Sequence, residues 1–209
     1  MDFVAARKVM VDSQVRVNDV TNRVLHAAMG SVERERFCAP ERAFSAYADV
    51  MPEITADRRL MLPRDMGKLL EGAEAKAGEK ALVVVGPYAA AVLAKMGLNV
   101  TVQDSNPDVF AVTGEALADY GVETVVAPLT EVSGEGYDVI VSEAAVPARQ
   151  DAWIAALAPN GRLVVVERTG PAGKAVLYVK GEEAVSRREL FDAAPDILGE
   201  LAPAPAFAL

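Results

Sequence analysis

The 209-residue chain is poor in the side chains that do most acid–base, thiol and metal chemistry, with one cysteine, Cys38, and one histidine, His26. A single cysteine excludes an internal disulfide and any Cys₂ or Cys₄ metal cluster. A single histidine excludes a two-histidine zinc site, and a catalytic dyad or triad would have to use His26 itself. Positive charge is also short: 21 Lys and Arg stand against 30 Asp and Glu, for a net charge of −9. That balance argues against a general nucleic-acid binder, which neutralises phosphates with basic side chains. Long hydrophobic runs are missing. The most apolar stretch, Ala81 to Ala94, is interrupted by Gly86-Pro87 and is too short to span a bilayer. Met1 to Lys8 shows no basic segment followed by an apolar one, so no signal peptide is expected there. The expectation is a soluble cytoplasmic protein without nucleic-acid or membrane partners. Its Ala/Val-rich surface leaves a homo-oligomer open.

Aromatics make up only 6% of residues while the apolar share is 52%, a composition suited to buried parallel strands under covering helices. Residues 1–78 read as a helical extension and 79–209 as a core packed with it. Val4, Val9, Val11 and Val15 suggest a first helix. Asn18 or Asp19 can cap a second, with Val20, Val24, Leu25, Ala28 and Met29 as its apolar stripe. Pro63 opens a third, carrying Met66, Leu69, Leu70, Ala73 and Ala77, with Gly78 as its stop. From residue 80 strands and helices alternate. Strands are expected at 81–85, 100–103, 122–127, 137–141 and 162–166, with helices at 88–96, 107–120 and 148–157. An antiparallel pair is expected around 175–179, and 202–209 reads as a Pro-broken terminus. The fold class is α/β: a doubly wound, mostly parallel, Rossmann-like sheet with an antiparallel C-terminal strand pair and an N-terminal helical extension.

In such a sheet the ligand crevice lies beyond the C-terminal strand ends. A nucleoside cofactor there needs a glycine loop after the first strand and an acid at the end of the second. Asp104 supplies the acid, followed by Ser105. It can accept from ribose hydroxyls, or it can cap the helix opened by Pro107. The glycine loop is almost absent, because Val85 is followed by Gly86-Pro87-Tyr88. Glu143 either faces the crevice or is a solvated loop acid. His26 reads as a surface or half-buried residue and Cys38 as a small buried hydrophobe. The run Glu33-Arg34-Glu35-Arg36 and the pair Arg187-Arg188 read as solvated faces.

Ordered matches along nearly the whole chain carry a family resemblance. Arg7, Met10-Val11 and Gln14 match an opening pattern. Val24-Leu25, Ala28-Met29, Val32, Arg34-Glu35, Phe37 and Pro40 match "VL.AM..VPRE.FVP". Ala46-Tyr47 and Asp49 match "AY.D", and Pro159 with Gly161-Arg162-Leu163-Val164 matches "L.PGGRLV". The segment Tyr137-Asp138-Val139-Ile140 with Ala144-Ala145 and Pro147 matches the family's fourth strand. The chain resembles the protein-L-isoaspartate O-methyltransferase family. That resemblance implies a class I methyltransferase fold and S-adenosylmethionine-dependent methylation of isoaspartyl carboxylates in damaged proteins. Such transfer depends on alignment more than on acid–base groups, so the scarcity of His and Cys does not oppose it.

The family's site elements are altered. Its "VLEIGTGSGYQAAVLA" becomes Ala81-Leu82-Val83-Val84-Val85-Gly86-Pro87-Tyr88-Ala89-Ala90-Ala91-Val92-Leu93-Ala94, with Val84 at the acid. Gly86 to Asp104 spans 18 positions against about 21 in the family pattern, so roughly three residues are missing where backbone amides meet the cofactor. "GDG" becomes Ala127-Pro128-Leu129. "ISQP" becomes Leu60-Met61-Leu62-Pro63, with Met61 at the family's active-site serine, which leaves no catalytic residue. By resemblance, Gly86, Tyr88, Asp104 and Ser105 are the cofactor-binding positions and Met61, Leu62 and Pro63 the substrate positions. Each unpaired cofactor group costs about 1–3 kcal/mol, and about 1.4 kcal/mol is tenfold in affinity. The expectation is a non-catalytic family member with weakened or lost S-adenosylmethionine binding, retained as a binding or interaction protein for a protein or peptide partner, with Tyr88 filling the cofactor's place. The alternatives are an active, divergent isoaspartyl methyltransferase and a crevice adapted to another nucleoside ligand.

Overall fold

The computed structural model describes residues 1–201, and the 202–209 terminus lies outside them. Helix α1 (Phe3–Met10) runs into a π-turn (Val11–Val15) and a 3₁₀ turn (Arg16–Asn18), followed by α2 (Arg23–Ser31). Two 3₁₀ turns (Arg34–Phe37 and Pro40–Ser45) lead to a small hairpin, β1 (Glu53–Thr55) and β2 (Arg58–Arg59), and then to α3 (Pro63–Ala73). The sheet follows: β3 (Lys80–Val84), α4 (Pro87–Lys95), β4 (Asn99–Asp104), α5 (Pro107–Asp119), β5 (Glu123–Val126), β6 (Tyr137–Val146), α6 (Asp151–Ala155), β7 (Leu157–Arg168), β8 (Gly173–Lys180) and β9 (Val185–Ala193).

Strand order is β5-β4-β3-β6-β7-β8-β9. The first five in space are parallel, and β8 and β9 are added antiparallel. This is the doubly wound sheet expected. The strand order reverses at β3, with β4 and β5 on one side and β6 and β7 on the other, which opens a crevice above the ends of β3 and β6. Period-2 alternation sets the two faces. Ala81 and Val83 face a core shared with Met10, Met29, Phe37, Leu69 and Val92. Leu82 and Val84 face Trp153, Leu163 and Leu198.

Several expected boundaries shift. Val4 and Val9 are exposed, while Arg7, Met10, Val11 and Val15 are buried. The wide π-turn alters the helical repeat, so an even stripe drifts off the buried face. The cap of α2 is Asn22, whose side chain accepts from Val24 and Leu25 N–H; Asp19 instead takes a left-handed turn at φ 63°, and Val24 is exposed. Helix α3 stops at Ala73 with Glu74 at φ 48°, ahead of Ala77 and Gly78. Asn106, not Asp104, caps α5 by accepting from Asp108 N–H. Helix α6 is a short turn because Leu157 already pairs with Tyr137 in the sheet.

Candidate functional site

The connection from β3 to α4 is two residues long, Val85 and Gly86. Val85 sits at φ 54°, an outlier for a β-branched residue that costs about 1–3 kcal/mol. Both neighbouring strands hold it there. Its N–H donates to the Gln103 carbonyl (2.9 Å), and its carbonyl accepts from Glu143 N–H (2.9 Å). A Cβ on Gly86 would lie 2.7 Å from Glu143 Cγ and 2.9 Å from Val83 Cγ1. The glycine therefore makes room for the chain's own glutamate.

Glu143 is the centre of the crevice and is almost fully buried. Oε1 accepts from Ala89 N–H (2.6 Å) in the first turn of α4, and Oε2 accepts from Met61 N–H (3.3 Å). A helix N-terminus is a natural anion seat, and here a protein carboxylate fills it. Burial pushes the Glu143 carboxyl above its ordinary range, while Arg34 and the backbone N–H groups oppose that shift. Of the two readings open for Glu143, the structure selects the crevice.

Arg34, expected on a solvated face, is fully buried. Its 3₁₀ turn points Arg34 and Phe37 inward together. Nε donates to the Ala46 carbonyl (2.7 Å) and Nη2 to the Met61 carbonyl (2.6 Å), and the guanidinium lies 4.6 Å over the Tyr88 ring. Tyr88 packs edge-on against Phe37 (5.9 Å between centroids) and belongs to the helix-side core. It supports α4 from behind and does not fill the crevice, which corrects the expectation for Tyr88. Glu35 also leaves the solvated face: it pairs with Arg7 (3.3 Å) and accepts from Tyr47 Oη. His26 is half-buried against the Val20 carbonyl, and Cys38 is buried, with its thiol pushed up to about 11 by desolvation.

Asp104 ends β4 and is 1% exposed. Arg58, on β2, grips both its oxygens through Nε (3.1 and 3.2 Å), with Nη2 adding a bond of 3.0 Å. Asn106 N–H donates to Oδ1 (2.9 Å). Burial lifts the Asp104 carboxyl above its ordinary range despite Arg58. Arg58 Nη2 also reaches Ser105 Oγ (3.0 Å) and Glu200 Oε1 (2.6 Å). Arg58 and Glu200 carried no local signal, because Glu200 lies far along the chain from both partners.

The remaining candidate positions, Met61, Leu62, Pro63 and Ser105, take different places. Met61 lines a cavity of about 20 Å³ with Arg58, Leu60, Val85, Glu143 and Leu198. Leu62 and Pro63 start α3 and do not line it. Ser105 borders an open groove of about 390 Å³ formed by Val126 to Thr130 and Glu200.

A family model described as Protein-L-isoaspartate(D-aspartate) O-methyltransferase matches residues 6–190. The chain belongs to the protein-L-isoaspartate O-methyltransferase family. A protein of that name from Methylorubrum populi is 30% identical over 197 residues, covering 91% of this chain and 92% of its own. One from Koribacter versatilis is 28% identical over 190 residues, covering 87% and 84%. Among solved structures, a protein-L-isoaspartate O-methyltransferase superposes with TM-score 0.78 at 18% identity over 93% of this chain and 67% of that one. A putative family member from Plasmodium falciparum, in complex with S-adenosyl-L-homocysteine, gives 0.79 at 15% identity over 93% and 98%. These two likenesses establish the fold.

S-adenosylmethionine is the cofactor this family membership implies, and the groups at the ends of β3 and β4 that would meet it are engaged within the chain. The Asp104 oxygens are taken by Arg58 and Asn106. The amide of Ala89 at the α4 N-terminus is taken by Glu143. The enclosed cavity of about 20 Å³ beside Glu143 is the size of one water, whereas the open groove of about 390 Å³ beside Ser105 falls within the roughly 300–1,000 Å³ of ligand pockets. Among the described residues no helix is long and apolar enough to cross a membrane, and no group of three or more His, Cys, Asp or Glu is placed to hold a metal.

Proposed function

We propose that this family member has a crevice closed against S-adenosylmethionine and is retained as a binding or interaction protein for a protein or peptide partner. The observation that carries this reading is the Glu143 carboxylate on the Ala89 amide, an internal anion where a ligand's polar group would need that donor. Met61 at the position of the family serine supports it: a thioether can neither donate a proton nor accept a strong hydrogen bond. Incubation with millimolar S-adenosylmethionine and an isoaspartyl peptide should give no methyl ester above the protein-free control. Steady turnover on that peptide overturns the reading.

A second reading, an active divergent isoaspartyl methyltransferase, is favoured by two observations. The relatives at 28–30% identity carry that name, and the groove beside Ser105 is open. It requires Glu143 and Arg58 to leave their partners when cofactor enters. A Glu143→Ala variant distinguishes the two. On the second reading it turns over faster than the wild type, and on the first neither protein turns over.

A further inference from the structure

Strand β3 pairs with β6 as far as Val83 with Val141, and the last bond along that edge is from Glu143 N–H to the Val85 carbonyl. Beyond that point β6 continues to Val146, and its pairing with β7 shifts register between Val141 and Ala145. The edge left by β3 is taken by the segment after β9. Ala145 N–H donates to the Asp196 carbonyl (2.8 Å), Leu198 N–H donates to the Ala145 carbonyl (2.8 Å), and Ile197 bridges Ala145 in parallel. Leu198 is 4% exposed. Arg168 Nη1 holds the carbonyls of Ala194 (2.9 Å) and Pro195 (2.6 Å). Pro195 to Leu198 thus form one wall of the crevice cavity.

The far end of this segment is held differently. The Glu200 carboxylate accepts from Arg58 and from Ser105 Oγ. Arg58 already serves Asp104 and Asp57, so three carboxylates share one guanidinium. The side chain of Glu200 is 42% exposed against 1% for Asp104. Asp57, at 54%, is bonded from its own chain neighbourhood, so of the two partners that reach Arg58 from afar Glu200 is the one that water more easily replaces. A firm anchor at Ala145 and a screened, oversubscribed contact at Arg58 describe a segment that opens from its Glu200 end.

We infer that Pro195–Leu201 is a displaceable strap that closes the crevice in cis, with Glu200 as its latch on Arg58. The inference does not rest on the proposed function, because it is read without any cofactor. Hydrogen exchange on the full chain tests it. Glu200→Gln should speed exchange at Leu198 and Ala145 by roughly three- to tenfold, while Val164 in the sheet centre stays unchanged. Leu198→Asp should abolish protection of Ala145, and a millimolar synthetic peptide of residues 194–201 should restore it. Unchanged exchange at Ala145 in both variants overturns the strap. Equal acceleration at Val164 also overturns it, since the segment would then open only with the whole fold.

Discussion

Two of the buried arginines, Arg34 and Arg58, are held in opposite ways. Arg34 is bound by two backbone carbonyls and a tyrosine face, and Glu143 is the buried acid whose ionisation it favours. Arg58 is bound by carboxylates, three of them, two on exposed side chains. The first arrangement belongs to the segment that matches the family pattern residue by residue and builds the core. The second belongs to the crevice, where the pattern is broken. The scaffold spends its buried charge on holding α4 and the α3 entrance together. The crevice directs its buried charge at its own ligand-binding groups.

The largest effect should come from Arg34→Met. It leaves two buried carbonyls unpaired and removes the charge that opposes the burial of Glu143, so urea denaturation should show a loss of about 3–5 kcal/mol. Arg58→Met should cost less, about 1–3 kcal/mol, because water can replace it at the exposed Asp57 and Glu200 carboxylates and Asp104 keeps the Asn106 N–H. The comparison breaks if Arg58→Met proves the more costly of the two.

The smallest effect concerns pH. Glu143 lies above its ordinary value of 4.5 in the folded chain, so the folded protein holds this proton more firmly than the unfolded chain does. Stability is therefore lost as pH rises from about 4.5 through the folded value. Asp104, raised from 3.8, contributes with the same sign. Glu143→Gln removes the first contribution. Its urea midpoint should exceed that of the wild type at pH 8, and the gap should narrow towards pH 5. A gap independent of pH would mean that Glu143 holds its proton no more firmly in the folded protein than in the unfolded chain.

Most of the architecture was legible in the sequence, since buried strands and helix-opening prolines are local signals. The first helices were misplaced because a π-turn has no compositional mark. The site was legible only in part. Asp104 and Met61 stand at recognisable positions. Arg34 lay in an alternating charge run, which reads as solvated unless the 3₁₀ turn is known. Glu143 looked like any acid at a strand end. The contact of Arg58 with Glu200 joins residues that the fold alone brings together. The missing loop residues were visible, but the partner of the Ala89 amide was not: Glu143, on a neighbouring strand, supplies it.

The central claim is that the crevice is filled by the protein's own charged groups. Isothermal titration of the full-length chain with S-adenosyl-L-homocysteine tests it most directly. The closed crevice predicts no saturable heat at concentrations up to about 1 mM, a free energy weaker than about −4 kcal/mol. A one-to-one isotherm with micromolar affinity would contradict it, and would mean that Glu143 and Arg58 yield their partners to the ligand.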